Sequence, residues 1–345
     1  MHALLVRALL LYLIHIERKL NLMSNKQHIT SIGGQAVMEG VMMRGPYKTA
    51  VAVRKPDGEI ERKVEDNGVK TRSKFWQLPI IRGCVNFIDS LVIGMKALMY
   101  SAEFVDIEGD EEEQQSKFDK WLEDKLGDRI KDIVIYVSIA ISLVFSIALF
   151  MILPTFITKG MEKLGEFVTF LSPVTKSHLF SSLMEGVVRM AIFIGYLALV
   201  SQMKDIKRVF MYHGAEHKTI ACYEAGEELT VENVKKFTRF HPRCGTSFLL
   251  FVMIVSILLF AFLPRVDMVI LRVLMRIALL PVVAGISYEL IKWAGRSKNA
   301  CVTWLSKPGL WLQKLTTREP DDSMMEVAIA SMEPCIPENK EDDKW

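Results

Sequence analysis

The chain has 345 residues, half of them hydrophobic, with 43 basic against 40 acidic residues and a net charge of +3. That near-neutral balance, with no basic stripe interleaved with aromatics, argues against a nucleic-acid partner, and the long apolar runs argue against an ordinary soluble domain. The five cysteines (Cys84, Cys222, Cys244, Cys301, Cys335) are odd in number and widely spaced, so they make no disulfide framework and suit a reducing compartment.

Residues 1–22 hold a short apolar run, Ala3 to Ile16, broken by Arg7. It is too short for a bilayer, which needs about 20 residues, and no small-residue cleavage site follows it. We read 1–22 as a doubtful extension, with the working protein beginning near Met23. Residues 23–70 predict a small β-containing domain. Thr49 to Arg54 and Glu59 to Val64 alternate around the turn signal Lys55-Pro56-Asp57-Gly58, which is the pattern of a hairpin. Ahead of it, Gly33 to Gly45 is rich in glycine and carries one acid, Glu39, in an apolar setting. An unpaired carboxylate there is costly, so Glu39 either pairs with Arg44 or serves a site as ligand or acid–base group. The segment is no phosphate loop, because no Gly-Lys-Ser/Thr follows.

Residues 71–132 predict amphipathic helices and an acidic linker. The apolar run 79–105, interrupted by Arg82, Asp89 and Lys96, suits an interfacial helix better than a span. Glu108 to Glu113 reads as a solvated linker. Two spans are predicted within 133–202: Ile133 to Leu153, 21 residues without a charge, and Val187 to Gln202, with Arg189 near one end. Two more lie within 247–291: Ser247 to Leu263, and Val266 to Ile291, which carries Arg272, Arg276 and Glu289. Charges inside spans are functional candidates. In the tail, 292–345, Pro320-Asp321-Asp322 starts a short helix that docks back on the core, and the last dozen residues read as disordered.

The fold class is therefore a mostly α-helical polytopic membrane protein, with about four transmembrane helices and a small N-terminal β-containing cytoplasmic domain. The segment 203–246 holds eight Lys and Arg residues, against three in 154–182. By the positive-inside rule this loop and both termini are cytoplasmic, in a multi-pass protein of the cell membrane.

The loop 203–246 carries the chemistry. Tyr212-His213-Gly214-Ala215-Glu216-His217-Lys218 sets two imidazoles four residues apart with a carboxylate beside them, and His241-Pro242-Arg243-Cys244 adds an imidazole and a thiol. On a helix, positions i, i+3 and i+4 share a face. His213 and His217 are the predicted ligands of a divalent metal, zinc first, with His241 or Cys244 completing the shell. Glu216 is the predicted base, in the inverted zincin order. Glu39, Glu224 and Glu289 are the acidic candidates from elsewhere, and Glu39 is kept as a second catalytic candidate. If all of His213, His217, His241 and Cys244 bind one ion, the site is closed and structural; if Glu216 or Cys244 stays free, it is open to catalysis.

Gly33 to Gly45, Tyr212 to Lys218, His241 to Phe248, Pro281 to Glu289 and Leu315 to Pro320 together resemble the bacterial YqhQ-like family, catalogued as domain of unknown function 1385. The resemblance runs from about residue 30 to residue 331. It implies an integral membrane protein and a metal-dependent enzyme whose substrate is open. The expected function is a hydrolase at the cytoplasmic face of the membrane, with the lipid bilayer and an unidentified membrane-proximal substrate as partners. The alternatives are a scaffold or assembly factor with a structural metal site, and a transporter using Arg189, Arg272, Arg276 and Glu289.

Overall fold

The computed structural model describes residues 28–68, 73–104, 129–166, 178–264, 266, 268–296 and 300–343. The doubtful extension 1–22 and the acidic linker Glu108 to Glu113 lie outside these residues. Four strands come first: β1 (Gly33–Val37), β2 (Gly40–Arg44), β3 (Lys48–Arg54) and β4 (Ile60–Asp66). The helices follow as α1 (Ile81–Ala102), α2 (Arg129–Ile147), α3 (Leu153–Glu166), α4 (His178–Val200), α5 (Lys204–Glu224), α6 (Val231–Lys235), α7 (Gly245–Ala261), α8 (Val269–Arg296), α9 (Ala300–Thr316) and α10 (Asp322–Met332). One π-helical turn, Ala148–Ile152, joins α2 to α3.

The strands form an antiparallel meander in the order β1-β2-β3-β4. The predicted hairpin is β3–β4, closed by the Lys55 N–H to Glu59 carbonyl bond, with Gly58 at φ +90°. The glycine-rich segment supplies a second hairpin, β1–β2, whose tight turn holds Glu39 at φ +47°. Gly40 to Met43 is buried throughout. Its residues are apolar at every one of these positions, so no polar–apolar alternation marks the strand. Val41, Met43, Ala50 and Ala52 face α5 and α10, packing on Tyr212, Ala215, Met324 and Ala328. Val37, Met42, Val51 and Val53 face the last turns of α1, packing on Ala97.

Four helical stretches are long and apolar enough to cross a membrane: Ile81–Ala102, Val137–Met161, Leu179–Val200 and Ile270–Trp293. The number agrees with the expected four, but the membership differs. The 79–105 segment, expected to be interfacial, qualifies on length and composition, whereas the expected third span is a 17-residue helix, α7. The stretch that matches the expected second span begins at Leu179, not Val187, and so takes in Glu185. The four helices are compatible with a multi-pass membrane protein.

That earlier start exposes a buried ion cluster. Glu185 accepts two bonds from Arg276, at 2.5 and 2.8 Å, one from Thr155 at 2.7 Å and one from Arg189 at 3.3 Å. Arg189 also donates to the Phe150 carbonyl in the π turn, at 2.9 Å, and both guanidiniums lie over the Phe260 ring. Glu289 pairs with Arg82 on α1, and Arg272 donates to the Val266 carbonyl. The proposed transport residues therefore divide among three separate contacts.

At the C-terminus, Asp321 caps α10 by accepting from the Met324 N–H, and α10 docks on α5 and the sheet. The last dozen residues were expected to be disordered. Instead, Lys340–Asp343 is a 3-10 turn, and buried Asp343 accepts from the Thr30 hydroxyl at 2.6 Å and the Ser31 N–H at 2.9 Å. A buried carboxylate with several donors is held in place whatever the charge of its neighbours in sequence.

Candidate metal centre

The α5 helix carries the motif. Its first turn holds Asp205, favourable at a helix N-terminus. It ends in a Schellman pair, Glu227 N–H to Cys222 carbonyl and Gly226 N–H to Tyr223 carbonyl, with Gly226 at φ +74°. His213, Glu216 and His217 lie on one face, as their spacing requires, with the histidine rings 4.4 Å apart between centroids. Cys244 is the N-cap of α7, where its sulfur accepts from the Thr246 N–H at 3.4 Å.

Ligand atoms of His213, His217 and Cys244 all lie within 4.8 Å of one another. Two backbone carbonyls set the histidine tautomers. His213 Nδ1 donates to the Thr316 carbonyl at 2.8 Å and His217 Nδ1 to the Arg239 carbonyl at 2.6 Å. Each imidazole therefore turns its Nε2 inward. His213 Nε2 lies 3.2 Å from Cys244 Sγ, while His217 Nε2 is buried without a partner. Glu216 accepts from the Gly34 N–H, and its Oε2 is also buried without a partner. Histidine fixed by an outer hydrogen bond is the arrangement that metal ligands use. Two orphaned buried acceptors beside a nitrogen–nitrogen–sulfur set fit a divalent ion of zinc type.

The electrostatics agree. Burial raises the Cys244 thiol, but the His217 and His213 imidazoles outweigh it and hold the thiol well below its ordinary value. Burial lowers His213, yet the Cys244 sulfur and the Glu216 carboxylate carry it up to about 9. Burial raises Glu216, with the two imidazoles only partly opposing. His217 and Cys244 are buried and His213 is half-buried, so the cluster is reached from the His213 side.

His241, Glu39 and Glu289 take other partners, although the His241 ring lies 5.5 Å from that of His217 between centroids. His241 Nε2 faces the Glu224 carboxylate at 3.5 Å, and Glu224 also takes Arg243 and the Thr30 N–H. Burial, with Arg243 and His217 adding, lowers His241 against the opposing pull of Glu224. Glu39 is held bidentate by Arg208 at 2.5 Å, with Tyr212 3.3 Å away, and not by Arg44. Glu289 is likewise absent, bound to Arg82.

The supporting residues were missed by sequence reasoning. Gln313 is buried and grips His241 in both directions, accepting its N–H at 2.9 Å and donating to its carbonyl at 2.7 Å. Arg318 N–H bonds to the Phe210 carbonyl at 2.8 Å, which lays 316–320 along α5 and delivers Thr316 to His213. A Cβ on Gly34 would sit 2.7 Å from the Met42 carbonyl and 2.9 Å from Glu216, so only glycine lets β1 approach Glu216. Backbone carbonyls carry no residue identity, and no pattern search finds them.

The chain is 35% identical over 315 residues to "Uncharacterized protein YqhQ" of Bacillus subtilis (strain 168), covering 90% of this chain and 93% of that relative. No solved structure matches it. Residues 78–338, well over half the chain, match the family described as "Protein of unknown function (DUF1385)", and the chain belongs to that family.

Proposed function

We propose that this protein is a membrane-bound, metal-dependent hydrolase, with a divalent ion, zinc, held by His213 Nε2, His217 Nε2 and Cys244 Sγ. The observation that carries this reading is the pair of carbonyl-locked tautomers beside the unpartnered Oε2 of Glu216. The ion supplies Lewis acidity to the reacting group when bound. Glu216 acts as the base. Burial moves its carboxyl up from the ordinary range, and the free Oε2 takes a proton from water and returns it to the leaving group. The half-buried flank of His213 admits substrate. Cys244, at the start of α7, ties the centre to the membrane helices.

The zinc reading is tested by elemental analysis of detergent-purified protein. About one zinc per chain is expected in the wild type, with loss in His213→Ala and retention, without activity in vivo, in Glu216→Gln. A wild type free of metal sinks the reading. A rival, favoured by the burial of His217 and Cys244, is a scaffold whose ion only folds the loop. Unfolding on chelation, with Glu216→Gln silent in vivo, would select it.

For topology, we propose that α7 crosses the membrane and α1 lies in the interface. Seventeen residues make a helix of about 25 Å, at the short limit for a span, and its stretch Ser247 to Ala261 carries no charge. The first turns of α1 cross α8 at one point, where Gly83 meets Gly285, and its last turns lie under the sheet. Phe75 and Trp76, just ahead of α1, are exposed aromatics of the kind that anchor an interfacial segment. The basic loop puts the sheet, α5 and both termini in the cytoplasm.

A further inference from the structure

β1 is an outer strand of the sheet and, among the described residues, pairs with β2 alone. The Arg54 N–H to Glu39 carbonyl bond sets the phase of the ladder. Residues 39, 41 and 43 bond toward β3, so Gly40, Met42 and Arg44 bond toward β1, where Val37, Gln35 and Gly33 oppose them. The N–H and C=O groups of Gly34 and Ala36 therefore point out of the sheet. The Gly34 N–H goes to Glu216. The Gly34 carbonyl and both Ala36 groups have no partner among the described residues. Gly33 and Gly34 are exposed and present no side chain to hold off a neighbouring backbone.

An open strand edge is a template for another strand. This one begins beside the base: Gly34 touches Glu216, and Glu216 shares its helix face with His213 and His217. We propose that an extended polypeptide adds to the β1 edge and that this strand is the substrate of the centre. Its backbone takes the Gly34 carbonyl and the Ala36 N–H and carbonyl, which lays its scissile amide over the His213 side. Water adds to the amide carbon and the C–N bond breaks. One proton of the water passes through Glu216 to the departing amine, leaving an amine and a carboxylic acid, which then ionises. The proposal rests on the hydrolase reading and adds the substrate class to it.

The test compares two probes on zinc-loaded, full-length protein in detergent: acetohydroxamate, and an apolar tripeptide hydroxamate. The tripeptide is expected to bind at least about tenfold more tightly, the weight of one or two backbone hydrogen bonds. Ala36→Pro removes an outward N–H and leaves the β2 ladder intact. It is expected to cancel most of that advantage while zinc content stays the same, and Ala36→Ser, which keeps the N–H, is expected to retain it. In the wild type the tripeptide, and not acetohydroxamate, slows hydrogen exchange at the Ala36 amide, a readout that needs no variant to fold. Equal affinity for the two probes, or unchanged exchange at Ala36, overturns strand addition and leaves the hydrolase standing. Dimerisation that protects Ala36 without any probe assigns the edge to a second copy and overturns it too. Zinc-loaded protein that binds neither probe removes the open site, and the strand proposal falls with it.

Discussion

Glu224 is a buried acid beside the candidate centre that is committed elsewhere. It lies two turns beyond His217 on α5 and is saturated by Arg243, His241 and the Thr30 N–H. Burial raises its carboxyl, but those partners outweigh burial and hold it below its ordinary value of 4.5. A carboxyl depressed in the folded state adds stability that is present above its unfolded pKa and is lost as the pH falls through the folded one. Glu224→Gln should therefore cost roughly 1–3 kcal/mol near neutrality, because it removes the carboxylate that Arg243, His241 and the Thr30 N–H share. The gap in thermal midpoint between wild type and variant should narrow as the pH drops below about 4.5. A gap that stays constant across the acid range would show that Glu224 is not ionised in the fold. His-x-x-Cys next to His-x-x-Glu-His made His241 look like a ligand, and the identity of its partner was decided by a residue that periodicity does not connect to it.

The elements that build the centre meet through backbone as much as through side chains. At Gly214, a Cβ would fall on the Arg318 carbonyl, so the segment 316–320 runs against α5 with nothing between them. That contact puts the Thr316 carbonyl on His213. Gly214→Ala is expected to push the segment away, destabilising the fold by about 1–3 kcal/mol and weakening zinc retention by about 10–100-fold through the loosened histidine. Denaturant titration and competition with a chelator measure the two effects. A stable variant with wild-type zinc affinity would show that the carbonyl does not matter. The β3–β4 hairpin was legible because its turn and alternation are written in a dozen consecutive residues. The β1–β2 hairpin was not, because β2 is apolar and buried from Gly40 to Met43 and β1 opens on two glycines, so neither strand alternates. Helix α5 with its histidine face was legible, while the carbonyls that orient its imidazoles come from segments far along the chain.

At the scale of the molecule, the sheet packs with α5 and α10 beside the apolar helices, and the direction of the whole is a matter of charge. Alkaline phosphatase fused after Glu166 is expected to be active, and fusions after Phe104 and Glu227 are expected to be silent. Activity after Glu227 would invert the protein, and activity after Phe104 would make α1 a span. By itself the sequence determined what short range encodes: the apolar runs, the turn at Gly58, and one helix face bearing His213, Glu216 and His217. Periods of two and 3.6 residues need no partner to be read. The tertiary structure alone decided which donors converge. It grouped Cys244 with His213 and His217 and gave His241 and Glu39 other partners, it placed Glu185 among the apolar helices with Arg276, and it brought Thr316 to His213 across 103 residues. Such contacts depend on how buried faces and backbone polar groups find partners across the whole chain, and that information is not local to any motif.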